Sequence, residues 1–188
     1  MEIVRQSHNQ AGGDIVSGNK SETTFNLINA GSIDELTLLY EKLKKNGVGD
    51  PSGGSFCEQL EHYLAVKTDG DVRGLEVKLK ESGRSDQLGL ATSLKERAAK
   101  AVMRHQTSRT AQRIYTIILD ELHTNFTLIV SAAIQEGAGR REVDQCIQQV
   151  LQTTKAMLGE NVLEITVKDL LALLYFLGGN CHIRWDKC

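Results

Sequence analysis

The segment Leu170–Leu177 limits the possible folds more than any other part of this chain. Every residue in it is apolar or aromatic, so a helix built from it has almost no polar face. Thr166 and Asp169, three residues apart, form a pattern that starts a helix, and the Gly-Gly-Asn sequence at 178–180 is typical of a helix end. A helix that is apolar on nearly all sides is buried. We therefore expect this helix to lie at the centre of its domain or against another chain.

Apolar residues recur at helical spacing from Ser32 onward, which predicts a helical domain over residues 32–188. Ser32 and Glu35 form a capping box for the first helix. Later helices are predicted to start near Ser55, within 69–83, at Ser85, at Thr107 or Ser108, and at Arg141. Segment 69–83 also alternates like a strand, but its helical neighbours favour a helix. Since the chain has a single proline, an all-β fold rich in turns is disfavoured, and the fold class is mainly α, a multi-helix bundle.

The longest predicted helix starts at Thr107 or Ser108 and runs to about Glu136. Its inward face, taken from the 3.6-residue period, consists of Ile114, Ile118, Leu122, Phe126, Ile129 and Ala133. The longest apolar runs of the chain, 126–134 and 170–177, are well short of the ~20 residues that a membrane span needs. We therefore expect no membrane partner.

Residues 1–31 lack the helical period and are rich in Gly, Ser, Asn and Thr. Short β-prone pieces with a turn signal at 17–20 predict a β-prone N-terminal arm, in the form of a small hairpin or an extended segment. A two-stranded ribbon is only marginally stable alone, so the arm is expected to need a partner surface. Its predicted partner-binding residues are Asp14, Ile15, Val16 and Phe25.

Charge and cysteine content narrow the class of protein. The net charge of -2 and the isoelectric point near 6.2 argue against a strongly basic nucleic-acid tail and against an acidic disordered chain. The first residues lack the apolar region of a signal peptide, and the four cysteines lack the paired spacing of structural zinc sites. We expect a cytoplasmic protein with free thiols, no metal and no cofactor.

No nucleophile with a matching base, Walker lysine motif or metalloprotease motif is convincing in this sequence, which predicts that the protein is not an enzyme. The stretch 95–113 is strongly basic. Its candidates for contact with nucleic-acid phosphates are Lys100, Arg104, Arg109 and Arg113. The same stretch would equally suit an acidic partner, or form two solvated helix faces that meet at a turn.

Trp185 is the only tryptophan, and it lies in a short segment after the last predicted helix. Because tryptophan is enriched at interface hot spots, Trp185 is a candidate partner-binding residue. The alternative is that Trp185 folds back and seals the helical core.

Two segments resemble proteins of ABC-three-component systems, namely 10–20 (QAGGDIVSGNK) and 173–185 (LLYFLGGNCHIRW). Such systems include the Lamassu family of bacterial anti-phage and anti-plasmid defence, and the chain is similar to their small accessory subunit. The resemblance implies a complex with an SMC-like ABC ATPase that senses foreign DNA and with an effector subunit, commonly a nuclease. In such a complex the small subunit is a non-catalytic adaptor.

The predicted function is therefore that of an adaptor or regulatory subunit, which bridges or restrains the effector on the ATPase and reaches DNA only through the complex. The alternative is a direct DNA-binding subunit that uses the basic helices around 95–113. Salt-dependent DNA binding by the isolated chain distinguishes the two.

Overall fold

A computed structural model describes residues 30–47, 55–67 and 73–186 of the chain, and within these ranges every regular element is a helix. The helices are α1 (Ala30–Asn46), α2 (Glu58–Leu64), α3 (Leu75–Glu81), α4 (Leu88–Arg104), α5 (Arg109–Asn125), α6 (Ala132–Glu136), α7 (Arg140–Met157) and α8 (Val167–Gly179). A 3₁₀ turn at Ser85–Gln87 leads into α4, and a π-helical turn at Phe126–Ser131 joins α5 to α6. The mainly α prediction is confirmed. The N-terminal arm lies outside the described residues, so its predicted form and the boundary at residue 31 stay predictions.

The apolar helix α8 lies at the centre of the domain. It packs along α4 and also contacts α3, α5 and α7. Its buried residues are Leu170 and the whole of 172–178. Of the two places expected for this helix, the structure shows the centre of its own domain.

The predicted starts of the two principal helices are confirmed. The Ser108 hydroxyl accepts a hydrogen bond from the Ala111 amide at 3.3 Å. Thr166 and Asp169 form a reciprocal capping box, in which the Thr166 amide donates to the Asp169 carboxylate at 2.9 Å. The first helix begins at Ala30, slightly before its predicted cap Ser32.

The buried stripe of the long helix follows a four-residue spacing through the π-helical turn. Phe126, Val130 and Ile134 are at most 5% exposed. Val130 and Ile134 take the core positions that the 3.6-residue period assigned to Ile129 and Ala133, which are only partly buried. A π-helical turn contains more residues than an α-helical turn, so each residue in it rotates the chain through a smaller angle. Residues four positions apart therefore stay on the core side of the helix.

The continuous helix Arg109–Glu136 is long and apolar enough to cross a membrane by length and composition alone. The core helix of a globular domain has the same properties, and α5 is packed against α1, α2, α7 and α8. The absence of a membrane partner therefore stays a prediction.

The C-terminal segment, residues 180–186, folds back across the ends of α2 and α8. The Asn180 side-chain amide donates to the Tyr63 carbonyl at 2.9 Å, and the Lys67 amide donates to the Asn180 carbonyl at 3.0 Å. Arg73 forms an ion pair with Asp186 at 2.7 Å. These contacts join residues more than 100 positions apart in the chain and hold the segment against the domain.

Lys78 of α3 joins α8 to this segment from inside the domain. Its side chain is only 1% exposed, and its ammonium donates to the Gly178 carbonyl at 2.8 Å and to the Ile183 carbonyl at 3.3 Å. Burial holds the pKa of Lys78 below its usual value. The bonds to carbonyl oxygens offset part of the cost of removing this charge from water.

Candidate functional site

A groove between α4 and the start of α8 is lined by part of the basic stretch. It has a volume of about 620 Å³ and is also bounded by the loop that precedes α8. Its basic residues are Arg97, Lys100, Arg104 and His105. We call this cavity the α4–α8 groove.

One of the three guanidinium and ammonium groups in the α4–α8 groove is held by an acid. Arg97 forms an ion pair with Asp169 at 2.7 Å, whereas Lys100 and Arg104 have no ion-pair partner among the described residues. Burial acts to raise the pKa of Asp169, but the hydrogen bonds from Thr166 and the charge of Arg97 outweigh it and bring the pKa below its usual value. Asp169 is therefore an anion that fixes Arg97 in place.

His105 and Tyr115 form the inner wall of the α4–α8 groove. Their ring centroids are 5.5 Å apart, and Tyr115 is only 6% exposed. Burial lowers the pKa of His105, and the neighbouring charge of Arg104 lowers it further. At neutral pH this imidazole is uncharged, so the positive charge of the groove comes from α4.

The other two predicted phosphate contacts do not line this groove. Arg109 is exposed in the first turn of α5. The guanidinium of Arg113 is bound at 2.6 Å by the carboxylate of Glu35 on α1 and at 2.8 Å by the amide oxygen of Gln59. The structure therefore brings Lys100 and Arg104 together and directs Arg113 to α1 and α2.

The predicted phosphate contacts do not include Arg97, Tyr115 or Asp169, which also line the α4–α8 groove, although Arg97 lies in the basic stretch 95–113. The first could have been found, because Arg97, Lys100 and Arg104 follow the three- and four-residue spacing of one helix face. Tyr115 and Asp169 are brought to this face by tertiary packing, which no local spacing encodes.

Trp185 lies inside the domain. Its side chain is 4% exposed and contacts the rings of Phe126 and Tyr175, each at a centroid distance of 5.6 Å. This position favours the core-sealing alternative. The other predicted partner-binding residues, Asp14, Ile15, Val16 and Phe25, lie outside the described residues.

Three histidines from separate parts of the chain meet beside Tyr63. The ring centroids of His62 and His182 are 5.1 Å apart, and those of His123 and His182 are 6.2 Å apart. The Tyr63 hydroxyl donates to Asp120 at 2.6 Å. We call His62, His123 and His182 the histidine cluster; together with Tyr63 it joins α2 and α5 to the C-terminal segment.

Acidification is expected to destabilise the domain through this cluster. Burial is the largest influence and lowers the pKa of both His123 and His182 below the ordinary 6.5. At His123 the charges of Lys67 and His62 lower the pKa further, and a backbone hydrogen bond with His182 and the charge of Asp120 oppose this only in part. The unfolded chain therefore binds protons more readily, so that stability is fully present above pH ~6.5 and is lost as the pH falls below it. Urea unfolding at about pH 7.5 and about pH 5.5 measures this loss.

The double variant His123→Gln/His182→Gln is the control for this prediction. It lacks the two titrating imidazoles and should lose less stability over the same pH interval. An equal loss in the variant and the unchanged protein would show that other groups cause the pH dependence.

Within residues 30–47, 55–67 and 73–186, no group of three or more His, Cys, Asp or Glu side chains is arranged to hold a metal ion. Cys57, Cys146 and Cys181 are free thiols.

The α4–α8 groove, the Trp185 site and most of the bundle fall within one family match. Residues 74–185, more than half of the chain, match the model of C-terminal domain 9 of the ABC-three component (ABC-3C) systems. The chain belongs to this family. It is therefore one component of an ABC-three-component system and works together with the other components. The resemblance of segments 10–20 and 173–185 implied the same membership. No curated protein and no solved structure matches the chain.

Proposed function

We propose that this chain is a non-catalytic adaptor in a bacterial defence system of the Lamassu type, where it bridges or restrains an effector, such as a nuclease, on an SMC-like ABC ATPase that senses foreign DNA. The observation that carries the proposal is the family match, because it extends from α3 to the C-terminal segment. The complex would act in the cytoplasm against phage and plasmid DNA.

A second groove supports a role in assembly. It lies between α4, α7 and α8, has a volume of about 340 Å³, and is lined mainly by apolar side chains. Leu90 and Val167 at its edge are 50% and 38% exposed. Exposed apolar side chains that adjoin an apolar groove form a surface that another protein could cover, and this supports the proposed role in assembly.

Direct DNA binding by the basic helices is the weaker alternative. Backbone contact with a duplex requires cations along a continuous face. The predicted cations point in different directions, because Lys100 and Arg104 line the α4–α8 groove and Arg113 is bound by Glu35. We therefore propose that DNA is reached through the complex.

Deleting residues 1–29, ahead of α1, is expected to weaken assembly and to leave the helical domain folded. Every core residue of the described ranges lies between Leu36 and Trp185, so the truncated chain keeps all of them. The measurement is co-purification of the truncated chain with the proteins of its neighbouring genes, together with thermal melting by circular dichroism. Normal assembly by a truncated chain with an unchanged melting temperature would remove the arm from the proposed function.

The apolar groove is tested in the same assay with a matched pair of variants. Leu90→Glu places a charge at the edge of the groove and should reduce co-purification. Leu38→Glu changes a leucine on α1 that is 66% exposed and lies outside both the groove and the family match. Equal recovery of the two variants would contradict the assignment of this surface.

A further inference from the structure

We propose that the α4–α8 groove is a binding site for a phosphate-bearing ligand of mononucleotide size. This inference goes beyond the adaptor function, since it concerns a small ligand bound by the chain itself. It rests on three properties of the groove: the arrangement of its cations, the character of its inner wall, and its dimensions.

The cations are arranged along one face of α4. Arg97, Lys100 and Arg104 follow helical spacing and span about 10 Å at the rise of an α-helix. Asp169 fixes Arg97, while Lys100 and Arg104 are exposed and keep their donors uncommitted among the described residues. Guanidinium and ammonium groups with free donors on the wall of a cavity are the groups that bind phosphate oxygens in proteins.

The floor of the groove, between these cations and α8, is apolar and aromatic, and most of it is nearly buried. Its residues are Ala98 and Ala101 of α4 itself, Tyr115, Leu163, Ile165, Ala172 and Leu173. A ligand with an anionic end and a flat, weakly polar remainder can therefore place each part against a matching surface. A nucleotide has this chemistry.

The size and charge of the groove favour a small ligand over a duplex. Its 620 Å³ fall within the ~300–1,000 Å³ of ligand cavities. Glu96 and Asp169 also line it, so positive charge does not continue beyond the cluster on α4. A duplex would bring phosphates close to these carboxylates as well, whereas the phosphates of a mononucleotide can be bound at Lys100 and Arg104.

Titration calorimetry of the full chain with ATP tests the proposal, with adenosine as the comparison that lacks phosphate. ATP should bind and adenosine should not. Lys100→Glu/Arg104→Glu should weaken ATP binding at least about tenfold, because two charge-assisted contacts are replaced by repulsion. Lys42→Glu/Arg141→Glu carries the same change of charge on exposed positions outside the groove and should leave binding unchanged.

The changed residues are exposed, so thermal melting should show that both double variants fold. The milder variant Arg104→Gln should also weaken ATP binding. No binding of ATP at millimolar concentration would overturn the proposal, as would equal weakening by both double variants. Binding of duplex DNA without binding of ATP, lost in Lys100→Glu/Arg104→Glu, would also overturn it and assign the groove to nucleic acid.

Discussion

Replacing Trp185 by alanine is expected to lower the free energy of unfolding by about 3–5 kcal/mol, the range for removing a large aromatic side chain from a core. The indole is 4% exposed and packs between Phe126 of the π-helical turn and Tyr175 of α8. Its removal leaves a cavity under the C-terminal segment, which the ring now holds against the bundle. Urea unfolding monitored by far-ultraviolet circular dichroism measures the change.

Trp185→Phe is the control for this prediction, because it keeps an aromatic ring in the cavity and should cost less than alanine. The complex provides the decisive comparison with the interface alternative. If Trp185→Ala lost its binding partners without any change in melting temperature, the residue would be an interface anchor and its assignment to the core would be wrong.

Gly178→Ala is expected to destabilise the domain by about 1–3 kcal/mol or more, the cost of overpacking a filled core. Within a helix this change is otherwise favourable, since alanine has the higher helix propensity. At position 178, however, an added Cβ would lie 2.7 Å from Cη2 of Trp185 and closer still to Cζ3. The rigid indole is confined by two other rings, so it cannot move away at low cost. Thermal and urea unfolding measure the loss.

Gly89→Ala on α4 is the matched control, because nothing lies within 4 Å of a Cβ at that position. It should leave stability unchanged or raise it. In the Trp185→Ala background, Gly178→Ala should lose most of its cost, since the atoms it would meet are gone. If the two changes were additive, the close contact between Gly178 and Trp185 would not be what limits position 178.

The features that the sequence predicts well are local. The capping box of Thr166 and Asp169 and the cap at Ser108 are set by side chains within three residues of the backbone that they bind. The burial of α8 follows from composition, because a helix without a polar face is not stable at a surface, but composition leaves open whether its own domain or another chain covers it. Segment 69–83, which also alternates like a strand, contains the helix α3, as its helical neighbours suggested.

The features that escaped prediction depend on residues distant in the chain. A fixed 3.6-residue period cannot anticipate the π-helical turn, so it selected Ile129 and Ala133 where Val130 and Ile134 are buried. The α4–α8 groove needs Asp169 to approach Arg97 across the bundle, a contact between residues 72 positions apart. The histidine cluster likewise exists only after the C-terminal segment has folded back.

The long-range hydrogen bonds that hold the C-terminal segment also affect how fast the domain folds. Helical bundles usually fold fast because most of their contacts join residues near in sequence. Here Lys78 binds the Gly178 carbonyl across 100 positions, and Asn180 binds the Tyr63 carbonyl across 117. Such contacts form only after long loops have closed. Loop closure lowers the entropy of the chain before any contact can compensate for the loss. We therefore expect α8 and its last turn to dock late. The closure of these long loops, and not the formation of the helices, should then limit the folding rate of the domain.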